Sequence, residues 1–383
     1  MSDWIVDQLS AICEIEYGTR VVRKKDAGTK FPVYGGGGAT FSMDTYNREN
    51  RMVVARFAIS EKCTRFVKGK FFLNDSGLTL NALDKEAVNE RFLNYQILSL
   101  NDEIYSLGRG TAQKNLNMDA FRKITLTYPK SLTEQKQIVS ILDNAFEKIE
   151  QAKANIEKNI ENAKELFQSE LNEIFAQKGD GWEKKTLGDV CEKTKNINWK
   201  DYTNEEFEYI DLSSVSRDTL LVTETTMVNK ENAPSRAKRI IQKGDVIFAT
   251  TRPTLKRATI ITSDLDGQIC STGFVVLRPK KNINSDWIFF YLLTSTFMDR
   301  MESLQRGASY PAVTDSDVKD STLSIPLTKE LEDSIVTKMN NLRRISNELV
   351  LQYLQKLSDL DELKKSILQK AFAGELTNKT VEA

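Results

Sequence analysis

Histidine is absent from the 383 residues of this chain, and the absence removes whole classes of chemistry. Neither a Ser-His-Asp nor a Cys-His nucleophile can be assembled, and an imidazole-based metal site is impossible. Carboxylate chemistry survives this filter. Cysteine is scarce: Cys13, Cys63, Cys191 and Cys270 stand far apart with no CxxC pair, as in a reduced cytosolic chain rather than a disulfide framework. No apolar run approaches the ~20 residues that span a bilayer. The opening MSDWIVDQLS has neither the basic nor the apolar region of a secretory signal. A cytoplasmic location is expected. Net charge is also missing, with 54 Lys+Arg against 54 Asp+Glu. A chain that coats nucleic acid without regard to sequence is usually strongly basic, so any such contact here must come from local patches.

What the chain does have is a repeat, in a length and apolar content sufficient for two packed domains plus extended elements. Trp4, Leu9, Cys13 and Glu14 recur as Trp182, Leu187, Cys191 and Glu192, an offset of 178. Arg109-Gly110 recurs as Arg306-Gly307 at an offset of 197, and the same offset carries Leu126 to Leu323 and Pro129 to Pro326. It also carries Ile138-Val139 to Ile335-Val336, and Leu171 and Phe175 to Leu368 and Phe372. The second copy therefore holds about 19 extra residues in its middle. The order is A–B–A′–B′.

In A and A′ short strand-like runs such as RMVVARFAIS (51–60) and GFVVLRPKK (273–281) alternate with Gly and Pro, as in β-rich domains with added helices. B and B′ differ in kind. Ile138, Ala145, Ala152, Asn159 and Leu166 fall seven apart, interleaved with Leu142, Ile149, Ile156 and Ala163. In B′, Leu342, Leu349, Lys356 and Leu363 interleave with Met339, Ser346, Tyr353, Leu360 and Ile367. This 3-4 alternation is a coiled-coil seam. Ser131 and Glu134 have capping-box spacing at the first helix start, and Gly179 and Gly181 mark its stop. A helix of ~46 residues is roughly 70 Å long. Asn159 and Lys356 hold equivalent seam positions: a buried polar pair would fix the register there, and a local opening to solvent is the alternative.

Duplicated domains on paired antiparallel helices make a pseudo-twofold object, and a twofold reader of duplex DNA contacts two half-sites about one helical turn apart. Because A and A′ differ in their middles, the half-sites should differ, with a spacer set by the helices. Charge supports a DNA face. Arg236, Lys238, Arg239, Lys243, Arg252, Lys256 and Arg257 lie within 235–257 against one acid, Asp245. In A, Arg20, Arg23, Lys24, Lys25 and Lys30 form one cluster, and Arg56, Lys62, Arg65, Lys68 and Lys70 another. Such residues neutralise phosphates, and Arg can grip guanine bidentately. The plain alternative for each run is a solvated face. Tyr34 followed by Gly35–Gly38 reads as a loop that lets backbone approach DNA, or as a simple turn; no GKS/T follows, which argues against a nucleotide site. The candidate DNA contacts are Arg20, Lys24, Tyr34, Gly36, Arg56, Lys62, Arg65, Arg109, Arg236, Lys238, Arg239, Thr250, Arg252, Lys256, Arg257 and Arg306.

These features together resemble the specificity subunit of type I restriction–modification systems, over essentially the full length. The resemblance rests on the Trp-x4-Leu-x3-Cys openings (4–13 and 182–191), FPVYGGGG (31–38), RGTAQKNLN (109–117), and the Pro-x4-EQ-x2-I entry (129–138). GDVIFATTRP (244–253) and STGFVVLRP (271–279) complete it. It implies an α+β protein: two tandem mixed α/β target recognition domains (1–130 and 179–327), separated by two long helices (131–178 and 328–376) that pair as an antiparallel coiled coil, with a flexible tail at 377–383. It implies no catalysis by this chain and no cofactor of its own. Methyltransferase subunits, two of them, would hold S-adenosylmethionine, and ATP-driven restriction/translocase subunits would join. Ile138, Leu142, Ile335 and Met339 are the expected docking residues on the helices. One departure stands out: Glu134-Gln135 becomes Leu331-Glu332, so the second helix entry reads as degraded.

Two rival readings are weaker. An amino-methyltransferase would need an Asn/Asp-Pro-Pro-aromatic loop, and no Pro-Pro occurs; Asp264 and Asp266 look like a turn, not nuclease ligands. A coiled-coil scaffold that binds only proteins leaves the basic segments of A and A′ unexplained, and it would lack the steep salt dependence of DNA binding.

Overall fold

The computed structural model describes residues 4–111 and 113–376; the expected tail at 377–383 lies outside the described residues. The chain forms two compact units that do not follow chain order. One comprises residues 1–157 and 354–383, the other 158–353. Both boundaries fall inside long helices, Leu132–Ala176 (the first arm) and Lys329–Phe372 (the second arm). Each unit therefore holds one domain, the root of the arm that leaves it and the tip of the other arm.

Neither arm contains glycine or proline, so nothing interrupts either ladder of backbone hydrogen bonds. Each arm begins on a hydroxyl cap: Ser131 Oγ accepts from the Glu134 N–H, and Thr328 Oγ1 from the Leu331 N–H. Inside each unit the two arm segments run antiparallel. In the first, Lys153 pairs with Asp361, and Lys364 with Glu150 at 2.9 Å. In the second, Lys338 pairs with Glu170 at 2.7 Å, and Ser346 Oγ donates to the Ala163 carbonyl. The apolar seam is closed only near roots and tips, where Ile138, Leu142, Ile149, Leu171, Met339 and Leu368 are buried. Leu166, Leu349 and Leu363 are exposed, and so are Asn159 and Lys356. Neither polar residue is buried.

The first domain carries a six-stranded sheet in the order Cys13–Tyr17, Gly77–Ala82, Arg48–Ala55, Thr64–Leu73, Phe31–Gly35, Gly38–Met43. The second domain carries two four-stranded sheets. One runs Cys191–Glu192, Phe274–Pro279, Val246–Ala249, Ala258–Ile260; the other runs Thr226–Asn229, Glu206–Ile210, Ile269–Ser271, Ala237–Ile240. The first four strands correspond pair for pair. Cys13 faces Ala82 as Cys191 faces Pro279, and Val54 sits between Leu78 and Thr64 as Phe248 sits between Val275 and Ala258. The offset between copies is thus 178 at Cys13, 194 at Val54 and 197 at Ala82. The extra length therefore enters at two places, most of it before Val246, where it adds strands the first domain lacks.

A small ladder closes each domain: Trp4–Gln8 on Thr125–Pro129, and Trp182–Thr186 on Thr322–Pro326. Trp4 faces Pro129 as Trp182 faces Pro326. Behind it lies a helix, Glu90–Ser99 in one domain and Ser285–Leu292 in the other, on which an arm tip is seated, the second arm's in the first domain and the first arm's in the second. Phe372 meets Phe92 edge-on at 5.3 Å, and Phe175 packs on Trp287 at 4.7 Å. Those contacts explain why Phe175 and Phe372 recur in the sequence.

The arm entry is not degraded in the second copy. Gln135 is fully buried; its Oε1 accepts from the Asn89 N–H at 2.8 Å, and its Nε2 donates to the carbonyls of Ala87 and Pro129. Glu332, equally buried, accepts from the Asn284 N–H at 2.9 Å, and Lys329 supplies the counter-charge at 2.8 Å. A carboxylate replaces an amide because the position needs an acceptor for a helix-capping residue's N–H, and either group provides one.

Candidate nucleic-acid interface

The same two-loop platform is built at one end of the central strand in each domain. In the first, the loop after Arg48–Ala55 closes through the Ala55 N–H on the Cys63 carbonyl at 2.8 Å. It then pairs with the short hairpin Gly108–Arg109/Asn115–Leu116: the Leu116 N–H donates to Arg56 O, the Ile59 N–H to Lys114 O, and the Ala58 N–H to Asn115 Oδ1. In the second, the Ala249 N–H closes on Arg257 O at 2.9 Å, the Val313 N–H donates to Thr250 O, and the Arg252 N–H to Pro311 O at 2.7 Å. Arg306 and Ala312 exchange backbone hydrogen bonds at 2.9 Å each.

Backbone strain repeats along with the bonds. Ala58 has φ +49° and its counterpart Arg252 has φ +51°, a left-handed conformation uncommon outside glycine and held only where surrounding structure fixes it. Gly110 at +117° and Gly307 at +100° turn the second loop in each copy, where a side chain would be strained. This is why Arg-Gly stood out twice in the sequence.

Several expected contacts are consumed by the fold. Gly36 is buried, its N–H donates to Ser76 Oγ at 3.0 Å, and a Cβ there would stand 2.8 Å from the Phe57 carbonyl. The glycine run is therefore a turn packed at Gly35 and Gly36, with only its tip at Gly37 exposed. Tyr34 packs edge-on against Phe71 at 5.5 Å. Arg65 caps the turn from the other side, donating to Gly36 O at 2.7 Å and Lys62 O. Thr250 is buried and its hydroxyl is spent on Gly273 O. Arg239 makes a two-pronged pair with Asp315, and Arg257 donates to the carbonyls of Leu212 and Val215. A linear charge tally cannot see these partners.

Other residues remain on the surface. Arg20, Lys24, Lys62, Arg109, Arg236, Lys238, Arg252 and Arg306 are exposed, and Lys256 and Arg56 half-buried. Arg56 lies over the rings of Phe57 and Tyr17, at 4.5 and 4.9 Å. Arg109 faces the Asn117 amide, whose oxygen accepts at 2.7 Å once the group is turned toward it. Arg306 pairs with Asp317 at 3.1 Å; the Thr314 N–H and hydroxyl, then the guanidinium, hold that carboxyl below its ordinary range. Sequence reasoning missed Tyr310, 70% exposed beneath the Arg252 guanidinium at 4.7 Å. No charge pattern singles out a lone tyrosine.

The docking residues need correction too. Ile138, Leu142 and Met339 are inaccessible, and Ile335 is partly buried against the second domain's core. The apolar surface that the arms leave open is elsewhere. In the second unit Leu166 (57% exposed), Leu342 and Ile345 (45%) line a groove of about 400 Å³ with Glu170, Lys338 and Asn341. At the corresponding places of the first unit stand Leu363, Ala145 and Lys148, with Ile141 and Ile367 for Lys338 and Glu170.

The family model for the type I restriction modification DNA specificity domain matches residues 1–162 and again 179–370. The chain belongs to that family. Its specificity-domain relatives include the EcoDI specificity subunit of Escherichia coli, 23% identical over 323 residues, covering 76% of this chain and 71% of that one. The HindI specificity subunit of Haemophilus influenzae is 30% identical over 159 residues, 40% of this chain and 34% of that subunit, so this match spans about a third of it. Two solved structures share the fold. One, described under complex assembly and conformational transition of the type I R-M system, aligns with TM-score 0.72 at 17% identity over 97% and 98% of the two chains. The other, the HsdS subunit of Thermoanaerobacter tengcongensis, aligns with TM-score 0.53 at 17% identity over 97% of each. Among the described residues no group of Cys, Asp and Glu could hold a metal ion, and no helix is long and apolar enough to cross a membrane.

Proposed function

We propose that this specificity subunit reads a bipartite, gapped site in double-stranded DNA, one half-site per recognition domain, with an unread spacer set by the arms. The observation that carries the reading is the duplicated platform: two loops joined by backbone hydrogen bonds, presented twice with different side chains and a one-residue shift in one bond. Similar frames with unlike fillings suit a reader of two unlike half-sites, with phosphate contacts from the exposed Arg and Lys and base contacts from the loops.

In this reading the chain performs no chemistry. Two methyltransferase subunits dock on the arms, at the groove around Leu166/Ile345 and at the exposed apolar residues Leu363 and Ile141, and carry S-adenosylmethionine; each flips and methylates an adenine. ATP-driven restriction/translocase subunits join that assembly. The test is adenine-methylation sequencing of DNA from cells that express this chain with its methyltransferase. A new two-part motif, absent when this chain is omitted, is the expected result. Methylation at no gapped motif, although the two proteins copurify, would overturn the proposal.

A further inference from the structure

The platform of the second domain holds a feature the first lacks. Arg252 and Lys256 both adopt left-handed backbone, at φ +51° and +54°, on either side of the short turn Pro253–Leu255. Few non-glycine residues among those described take that conformation, and two of them share this loop. Such conformations persist only where neighbours enforce them, and they concentrate at binding sites. Here the enforcement is visible: the Arg252 N–H is held by Pro311 O, its Nη2 donates to Ser309 O at 3.2 Å, and its guanidinium lies over Tyr310. Tyr310 itself contributes little to the core, yet the exchange of hydrogen bonds between Arg306 and Ala312 fixes the loop that carries it. Asp317 and Asp315 are engaged by Arg306 and Arg239, and among the described residues no ion pair to Arg252 is found.

Counted along the loop from the closing bond, and by its left-handed backbone, Ala58 of the first domain matches Arg252, although the N–H that bonds the second loop there is that of Ile59; Gln113 matches Tyr310. The correspondence follows from Gly110 and Gly307: a Cβ on the first would meet the Gln113 carbonyl, and on the second the Tyr310 carbonyl. We infer that the stacked Arg252–Tyr310 pair is a specificity-determining element for the half-site read by the second domain, and that Ala58 and Gln113 hold the equivalent places in the first. The chemistry suits the role. A guanidinium whose plane is already set by a ring meets guanine O6 and N7 without losing further freedom, and the phenol edge offers a hydroxyl and an apolar surface to the neighbouring base.

This inference rests on the proposed DNA reading, and the experiment separates the two. The wild-type chain and the variants Tyr310→Ala, Tyr310→Gln and Arg252→Ala would each be co-expressed with the methyltransferase subunit, and methylated adenines mapped across the genome. Tyr310 is exposed, so its substitution leaves the fold intact, and copurification of the methyltransferase checks this for every variant. The expected result is a bipartite motif in which one half relaxes by roughly ten-fold or more at one or two base positions, while the other half is unchanged. A motif unaltered in Tyr310→Ala and in Arg252→Ala overturns the inference and leaves the function standing. Loss of both halves together, with the complex assembled, overturns it as well. No bipartite motif in the wild type overturns the function and the inference with it.

Discussion

The two recognition domains keep their backbone bonds and exchange their side-chain chemistry. Where the first domain clasps its arm with Arg91 on Asp143, the second uses Asp286 and Asn340 at the matching places, at 3.1 Å. Where Gln135 holds the N–H of a helix cap, Glu332 does so in the other copy. The second domain buries an ion pair, Asp245 with Arg278 at 2.8 Å, at places held in the first by Arg51 and Asn81. The difference teaches which constraints act where. A buried N–H must find an acceptor, but it accepts amide and carboxylate alike, so the frame persists while composition drifts. At the exposed platform no buried N–H dictates the side chains, and there the copies differ in what they offer outward.

Substitutions at the buried frame positions should separate the two copies, most strongly at Asp245. Replacing Asp245 with Ala strands the Arg278 guanidinium beside a core and leaves the Gln242 N–H unpaired; the second unit should lose about 3–5 kcal/mol. Hydrogen exchange should then register faster opening of residues 246–249 than of 48–55. Equal opening of both strands would mean that the ion pair is not local support.

Next comes the arm entry. Gln135→Ala removes three hydrogen bonds from a buried site, a loss of roughly 2–3 kcal/mol. Glu332→Gln keeps the acceptor for Asn284 and should cost under ~1 kcal/mol. Denaturant midpoints of the two variants give the ranking, and a reversed order would refute the equivalence of these positions.

Alkali should act on the first domain's clasp. Burial, then the hydrogen bond to Asp143, pushes the Tyr95 phenol up to about 12. Its folded pKa exceeds the unfolded value of 10, so the stabilisation is complete below pH 10 and is lost as the pH rises toward 12. Phe290 stands at that position in the second domain and should show no such loss. Ultraviolet titration of wild type against Tyr95→Phe reads this difference, and identical curves would contradict it.

The smallest effect is at acid pH. Asp361 and Glu150 are held low by the hydrogen bonds they accept from Lys153 and Lys364. Their contribution is present above the ordinary carboxylate range and fades as the pH falls below about 4. In both pairs the carboxylate is more than half exposed, so the change should be a fraction of a kcal/mol, about what exposed pairs give. Carboxylate titration by NMR checks the direction.

Much of this architecture was legible in the sequence, for physical reasons. The arms announce themselves because a helix without Gly or Pro and with apolar residues three and four apart has few alternatives. Trp4 and Pro129 recur as Trp182 and Pro326 because they face each other in a ladder that closes each domain. The offset change from 178 to 197 was visible, but its division at Val54 was not, since that strand repeats its hydrogen bonds and not its residues. The docking residues went astray because heptad spacing marks which side chains are apolar, not whether the cover is the chain's own: Ile138 and Met339 lie in the domain cores. A charge count also cannot see that carbonyls of the chain engage Arg65 and Arg257.

The central claim is that each domain reads its own half-site through a shared frame. The most direct measurement is the methylation motif of a chain in which residues 4–129 are replaced by a second copy of 182–326, joined at the Trp and Pro that pair in both ladders. The account predicts a gapped motif made of two copies of one wild-type half-site. A motif that still contains the half-site lost with residues 4–129 would contradict it.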